Sequence, residues 1–271
     1  MFLVLITPRS VCAQELNVAV ASNFYHALST ISRQFEQETG IRVKLSSGAS
    51  GLLYAQIIRG APFDLFFSAD IERPELLEKK GLTSERETYV YGRLALWVPK
   101  MSLTYNDSLG LVINETFLSR FEQRLAIANP RLAPYGKAAE QTIEHLGLSN
   151  KFNGKLILGN NINQTYQFVD SGNAVAGFVA YSLIKKNAKN NLKNNTEKNI
   201  QSSEIKNETD YWLVPQRLHQ PIAQQAVLLK RAKNSNAAQK LLSYILSTSV
   251  QKTLLTMGYS PVQDTIILGD H

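Results

Sequence analysis

From residue 16 to about residue 230 the chain alternates between two hydrophobic rhythms. Short apolar runs are followed by stretches whose apolar positions recur every three or four residues. Leu16–Ala21 reads as a strand. Phe24, Leu28, Ile31 and Phe35 then mark one face of a helix over Phe24–Thr39, and Gly40 supplies the stop. Ile41–Ser46 alternates like a strand, and Leu52–Arg59 reads as a helix ended by Gly60-Ala-Pro62. Asp64–Ser68 is a buried strand, Glu75–Lys80 a short helix closed by Gly81, and Tyr89–Val98 one long apolar strand. The second half repeats the alternation. Leu125–Ala128, Leu156–Leu158 and Ala174–Val179 are strands, with helices at Lys137–Leu146 and Thr165–Gly172 between them. Beyond a polar break, order resumes at Tyr211–Pro215. A strand at Ala226–Leu229 and a helix from Ser235 to about Leu255 follow, and Gly258–Val262 reads as loop.

Helices between strands predict an α/β fold of mainly parallel sheets, with ligands at the carboxyl ends of the strands. Four strand-to-helix junctions share one grammar: an apolar strand, a small or hydroxyl residue, then a helix. They are Val18–Asn23, Leu45–Gly51, Leu125–Gly136 and Leu156–Ile162. Each aims first-turn N–H groups, and twice a serine hydroxyl, out of a helix start, which is chemistry for an anion. The donors at the four strand-to-helix points themselves are neutral, with no Arg or Lys at any of them. That set suits a dehydrated oxyanion and argues against a nucleotide or nucleic acid. Two junctions precede Tyr89 and two follow it, so the expected architecture is two-lobed with the cleft between the lobes.

Composition adds a soluble globular class: 271 residues, 44% hydrophobic and 19% charged, without an apolar run of membrane-spanning length. The first 13 residues differ from the rest. Phe2–Thr7 is a short apolar segment and Val11-Cys12-Ala13 has small residues placed for signal peptidase, so residues 1–13 read as a secretory signal peptide cleaved after Ala13. The alternatives are a buried first strand or a lipoprotein cysteine at Cys12, although Arg9-Ser-Val is a poor match to the small-residue pattern of the latter. Cleavage would remove the single cysteine and Arg9, lowering the net charge of +7 by one. A basic exported protein can steer anions electrostatically, and the same charge also serves plain solubility. Lys185–Asp210 is nearly all Asn, Lys, Glu and Ser, and reads as a solvated loop insert.

Single residues allow plainer readings. Ser22 is a natural helix N-cap, with His26 one helical turn further on. A hydrolytic Ser22–His26 dyad is conceivable, but the flanks lack Gly-x-Ser-x-Gly. Ser46–Gly51 looks like a phosphate cradle, yet it lacks Gly-Lys-Ser/Thr. Asp64 and Asp70 bracket a strand and read more simply as a strand-end and a cap carboxylate. His26, His145, His219 and His271 are scattered, without metal-ligand spacing. Tyr135 and Tyr181 could line a cleft or simply pack.

Taken together, Val18–Asn23, Ser47–Ile57, Gly60–Asp70, Asn129–Glu140 and Gly177–Ala180 resemble periplasmic molybdate-binding proteins, the substrate-binding components of molybdate ABC importers. The resemblance runs from about residue 16 to the C-terminus, apart from Lys185–Asp210. It implies a two-lobed type II periplasmic-binding fold with crossovers near Tyr89–Gly92 and Leu218–Ile222. Residues 14–90 plus 222–271 would form one lobe and residues 91–221 the other. It implies a tetrahedral oxyanion held by the hydroxyls of Ser22 and Ser50 and the amides of Tyr135 and Ile162. Some members add a tyrosine hydroxyl after the Gly-x-Val strand. That position here is Ala180, with Tyr181 one residue later, so either Tyr181 substitutes or amides serve alone. The implied ligand is molybdate or tungstate, with sulfate too small and phosphate needing an acceptor for its proton. The resemblance further implies a periplasmic, monomeric protein without catalytic activity or cofactor, whose partner is a membrane permease and not nucleic acid. Competing readings are a binder of sulfate, thiosulfate or an organic anion, the Ser22–His26 hydrolase, and a ligand-sensing domain of a regulator.

Overall fold

The computed structural model describes residues 14–99, 112–186, 209–232, 235–260 and 262. The expected signal peptide at residues 1–13 and most of the Lys185–Asp210 insert lie outside them; at the insert's margins, residues 185–186 are helical and 209–210 belong to a strand.

The opening apolar run forms β1 (Glu15–Ala21), and the helical spacing after it forms α1 (Tyr25–Thr39), which buries Leu28, Ile31 and Phe35. α1 stops at Gly40, whose φ of 70° lies in the left-handed region that a Cβ disfavours. β2 (Arg42–Gly48), α2 (Ser50–Ile58), β3 (Leu65–Phe67), α3 (Glu72–Lys79) and β4 (Thr83–Gly92) follow. The second half begins with β5 (Leu94–Pro99), α4 (Glu115–Arg120), β6 (Leu125–Ala128), α5 (Pro134–His145) and α6 (Ser149–Phe152). It continues through β7 (Leu156–Gly159), α7 (Ile162–Asp170), β8 (Ala176–Ala180), α8 (residues 181–186) and β9 (Thr209–Leu213). A 3-10 turn at Gln216–Leu218 leads into β10 (Ile222–Leu229), α9 (Ser235–Leu246) and α10 (Thr248–Thr256).

The strands form two five-stranded sheets, of order β2-β1-β3-β10-β4 and β7-β6-β8-β5-β9. Strands joined through helices pair in parallel: β1 with β2 and β3, and β6 with β7 and β8. The strands that carry the chain between the sheets enter antiparallel, β10 against β3 and β4, and β5 against β8 and β9. No helix returns such a strand within its own sheet, so nothing imposes the parallel sense.

The long strand expected at Tyr89–Val98 is really two. β4 ends at Gly92 in the first sheet and β5 starts at Leu94 in the second. Both halves are buried, so the apolar run continues across the change of sheet and hides it. Likewise the single helix expected from Ser235 to Leu255 breaks at Ser247, whose extended backbone (ψ 147°) opens α10.

Two apolar clusters cover the first sheet. One holds α1, α9 and α10 against β1, β3 and β10, and the other holds α2 and α3 on the opposite face. The second sheet has its own cluster, which also takes in Ala21, Ala49 and Ala69 from the first lobe. Those three alanines sit at the ends or just past the ends of β1, β2 and β3, so the two lobes touch through the carboxyl ends of their strands. Among the described residues no helix is long and apolar enough to cross a membrane.

Candidate functional site

In the first lobe the parallel register sets Ala21 opposite Gly48, so β1 and β2 end together. Ser22 N–H donates to Gly48 O at 2.9 Å and Phe24 N–H turns back to Ala21 O at 2.9 Å. The amide of Ser22 is therefore committed to the sheet. Its hydroxyl and the N–H of Asn23 find no acceptor among the described residues. Ser50 opens α2 after extended Ala49 (ψ 142°). Its Oγ accepts the N–H of Ala69 at 3.0 Å. A hydroxyl oriented by an incoming donor still has its own proton to give.

In the second lobe α5 begins after extended Ala133, with Pro134 at its first position, where a missing N–H costs nothing. Tyr135 comes next, and its first-turn amide has no acceptor among the described residues. At α7, Asn161 Oδ1 caps Gln164 N–H at 3.0 Å, and Gln164 Oε1 reaches back to Asn160 N–H at 2.6 Å. That box satisfies the flanking donors and leaves the Ile162 amide without an acceptor among the described residues.

Three of the five residues expected from sequence, Ser50, Tyr135 and Ile162, thus stand at helix starts; Ser22 is not the N-cap its sequence suggested but lies in the turn after β1, two residues before the cap position Phe24, and all four are buried. Ser22 is 5% exposed, Ser50 and Tyr135 1%, and Ile162 2%. Tyr135 and Ile162 share one apolar cluster with Ala21 and Ala49, the residues preceding Ser22 and Ser50. The lobes meet directly beside them. Gly51 N–H donates to Leu132 O at 3.0 Å, Arg73 Nη2 lies 3.4 Å from Arg131 O, and Lys137 Nζ lies 3.7 Å from Glu72 Oε2. Flanking the donors, a cavity of about 290 Å³ is lined by Ala69, Asp70, Arg73, Pro134, Lys137 and Gln220, among others. None of the five expected contact residues lines that cavity.

The fifth expected residue is engaged differently. Tyr181 hydroxyl lies 3.3 Å from the Tyr211 hydroxyl of β9, and its ring lies beneath the Arg93 guanidinium at 5.2 Å. That hydrogen bond, helped by burial, raises the pKa of Tyr211. The Asn23 amide was not singled out in the sequence, because only the tertiary pairing of Ser22 N–H with Gly48 O moves the available donor one residue on.

The site is less free of cations than the sequence suggested. Arg73 reaches from α3 to within 3.4 Å of where a Cβ on Gly51 would stand. Its charge is matched by Asp70, with which it forms an ion pair, so the net contribution is near neutral. Asp70 Oδ1 also accepts from Arg73 N–H at 3.1 Å and Ser68 Oγ–H at 2.9 Å, the cap role expected for it. Asp64 is structural too, accepting Asn17 N–H at 2.8 Å. Ser22 is buried whereas His26 is exposed on α1, which is not the arrangement of a nucleophile held by its base.

Two α/β lobes, joined by paired crossover strands and closing on a donor-lined cleft, define a solute-binding protein of the type II periplasmic-binding fold. The chain belongs to the family described as bacterial extracellular solute-binding protein, whose profile matches residues 16–260. Within that class it is similar to the molybdate-binding protein ModA of Azotobacter vinelandii, at 39% identity over 91% of this chain and 90% of the relative. It is also similar to ModA of Rhodobacter capsulatus, at 34% identity over 91% and 88% of the two chains. Among solved structures, the Azotobacter vinelandii periplasmic molybdate-binding protein superposes with a TM-score of 0.75 at 32% identity, covering 90% of this chain and 98% of the other. These relatives are solute-binding proteins and not enzymes.

Proposed function

We propose that this chain captures molybdate, and tungstate equally, outside the cytoplasm and delivers it to the permease of an ABC importer. One observation carries the reading: buried strand-to-helix junctions of both lobes present donors that no described protein group accepts. They are the hydroxyls of Ser22 and Ser50 and the amides of Asn23, Tyr135 and Ile162. The similarity to molybdate-binding proteins selects the anion.

A tetrahedral dianion entering the closed cleft loses its water. Charge-assisted hydrogen bonds replace that water, and the positive ends of α2, α5 and α7 add roughly half a charge each. Neutral donors preformed by the fold can accommodate an ion with acceptors on every face. They offer nothing to the proton of hydrogen phosphate, and a smaller sulfate cannot reach all of them. A role for Tyr181 requires its hydroxyl to exchange Tyr211 for the ligand. Secretion through residues 1–13, a monomeric state and the absence of any catalytic step belong to the same reading.

The test is a thermal-shift and calorimetry series on the purified protein with molybdate, tungstate, sulfate, thiosulfate and phosphate. At one hundred times Kd a ligand stabilises by about 2.7 kcal/mol. At roughly 2–4 °C per kcal/mol that raises Tm by about 5–10 °C. Molybdate and tungstate should do so at micromolar concentration and the others should not. A shift with sulfate or thiosulfate alone would keep the fold and replace the ligand, and no shift with any oxyanion would end the proposal.

A further inference from the structure

Gln224 is fully buried on β10, the strand by which the chain returns to the first lobe. Its Oε1 accepts from Asn23 Nδ2 and from the Tyr89 hydroxyl, both at 2.9 Å. Its Nε2 stands 3.3 Å from the Tyr135 hydroxyl. The single proton of the Tyr89 hydroxyl is shared between Gln224 Oε1 and Ser68 O, the latter at 3.1 Å, and the Tyr259 hydroxyl donates to Asn23 O at 2.7 Å. A register shift between Gln224 and Gln225 leaves Tyr89 without a partner across the ladder. That bulge lets the Tyr89 hydroxyl meet Gln224.

Directly through Asn23 and Tyr135, and by way of Tyr89 to Ser68, Gln224 reaches three edges of the proposed cleft. Asn23 follows Ser22, Ser68 precedes the Ala69 amide that orients Ser50, and Tyr135 carries a donor amide of the opposite lobe. The three elements have no sequence proximity; one buried amide joins them. Burying a primary amide is costly unless its groups are bonded, so these contacts fix a geometry that apolar packing alone would leave adjustable. The crossover lies in the same place: a Cβ on Gly92 would stand 2.7 Å from Gln224 Nε2 and 2.8 Å from Tyr135 Cζ.

We propose that Gln224 is a positioning residue for oxyanion capture, holding the Asn23 turn of one lobe and the Tyr135 helix start of the other in the closed geometry. It touches no ligand and acts through Asn23 and Tyr135. The inference rests on the oxyanion-binding reading for its effect on affinity, but not for its effect on lobe closure.

The experiment compares wild type, Gln224→Met, Tyr135→Phe and the double variant. Tyr135→Phe keeps the donor amide and removes only the phenol, so it serves if Gln224→Met folds poorly. Molybdate affinity is measured by calorimetry, and the radius of gyration of the ligand-free protein by small-angle scattering. Each single variant should weaken affinity roughly tenfold, with the double variant little worse than either, because both cut one linkage. The ligand-free variants should be more open than wild type. A merely structural glutamine would lower Tm while leaving affinity and ligand-free dimensions unchanged, and that result overturns the proposal. Losses that simply add in the double variant also overturn it. If wild type itself binds no oxyanion, the functional reading falls; scattering then decides the lobe-holding role alone, and variants as closed as wild type reject it.

Discussion

Gly136 permits the closest approach of a binding helix to its strand. A Cβ at this position would stand 2.7 Å from the Ala128 carbonyl carbon, nearer still to its oxygen, and 3.0 Å from the Asn129 carbonyl carbon. Carbon atoms pack favourably at about 3.5–4.0 Å, so Gly136→Ala must lift α5 by roughly 1 Å. The obstructing atoms are backbone of a buried strand and cannot turn aside as a side chain would. Overpacking of this kind costs about 1–3 kcal/mol. At roughly 2–4 °C per kcal/mol the ligand-free Tm should fall by about 2–12 °C. Tyr135 precedes the substituted residue, so its amide moves with the helix. A hydrogen bond stretched by roughly 1 Å from its usual 2.9 Å is lost. Losing one bond to a charged group costs about 1.5–3 kcal/mol, or roughly 10- to 150-fold in Kd. Calorimetry with molybdate and a melting curve without it read the two effects separately. Gly147→Ala, beyond the far end of α5, is the control: its Cβ meets open space, but its φ of +69° makes it a strained position. It should lower Tm by a similar amount and leave Kd unchanged. A Gly136→Ala protein with wild-type affinity, or a Gly147→Ala protein that loses as much, would refute the reasoning.

Ser50→Ala should cost more affinity than Ser22→Ala, because it removes a donor and also releases the Ala69 amide held at 3.0 Å; calorimetry should show at least a tenfold loss for Ser50→Ala. Arg73→Met leaves the Asp70 carboxylate uncompensated near the cleft, so anion affinity should fall several-fold, and adding Asp70→Asn should restore most of it. Equal affinity in both variants would show that the pair is electrically silent toward the ligand. Burial raises the hydroxyl pKa values of Tyr89, Tyr135 and Tyr259 above the ordinary 10.0. Their stabilising contribution is therefore complete below about pH 10 and lost above it, where the unfolded chain ionises first. Urea titrations should show stability falling by as much as roughly 4 kcal/mol per pH unit in that range, and a flat profile would contradict the burial of these phenols.

Much of the fold was legible in the chain because helical and strand periodicities alternate cleanly over buried elements. The four junctions could be read for the same reason: each places a small or hydroxyl residue between an apolar strand and a helix. Helix starts blurred by three residues at α3 and α5, because Glu72 and Pro134 carry no apolar periodicity of their own. The apolar pattern alone hid the division of Tyr89–Val98 between two sheets, since Gly92 and Leu94 are buried on either side of Arg93; only the resemblance pointed to a crossover near Tyr89–Gly92.

By itself, then, the sequence determined the α/β alternation and the strand-to-helix junctions, both of which depend on residues near one another along the chain. The tertiary structure alone decided which groups remain available. Gly48 takes the Ser22 amide while the Asn23 amide has no acceptor among the described residues, and Asp70 neutralises an arginine that the local pattern had not placed near the cleft. Tyr211 engages Tyr181, and a glutamine more than two hundred residues from Asn23 closes the network between lobes. Those outcomes depend on hydrogen-bond partners brought together from distant segments, and no local spacing encodes a partner that the chain meets only after folding.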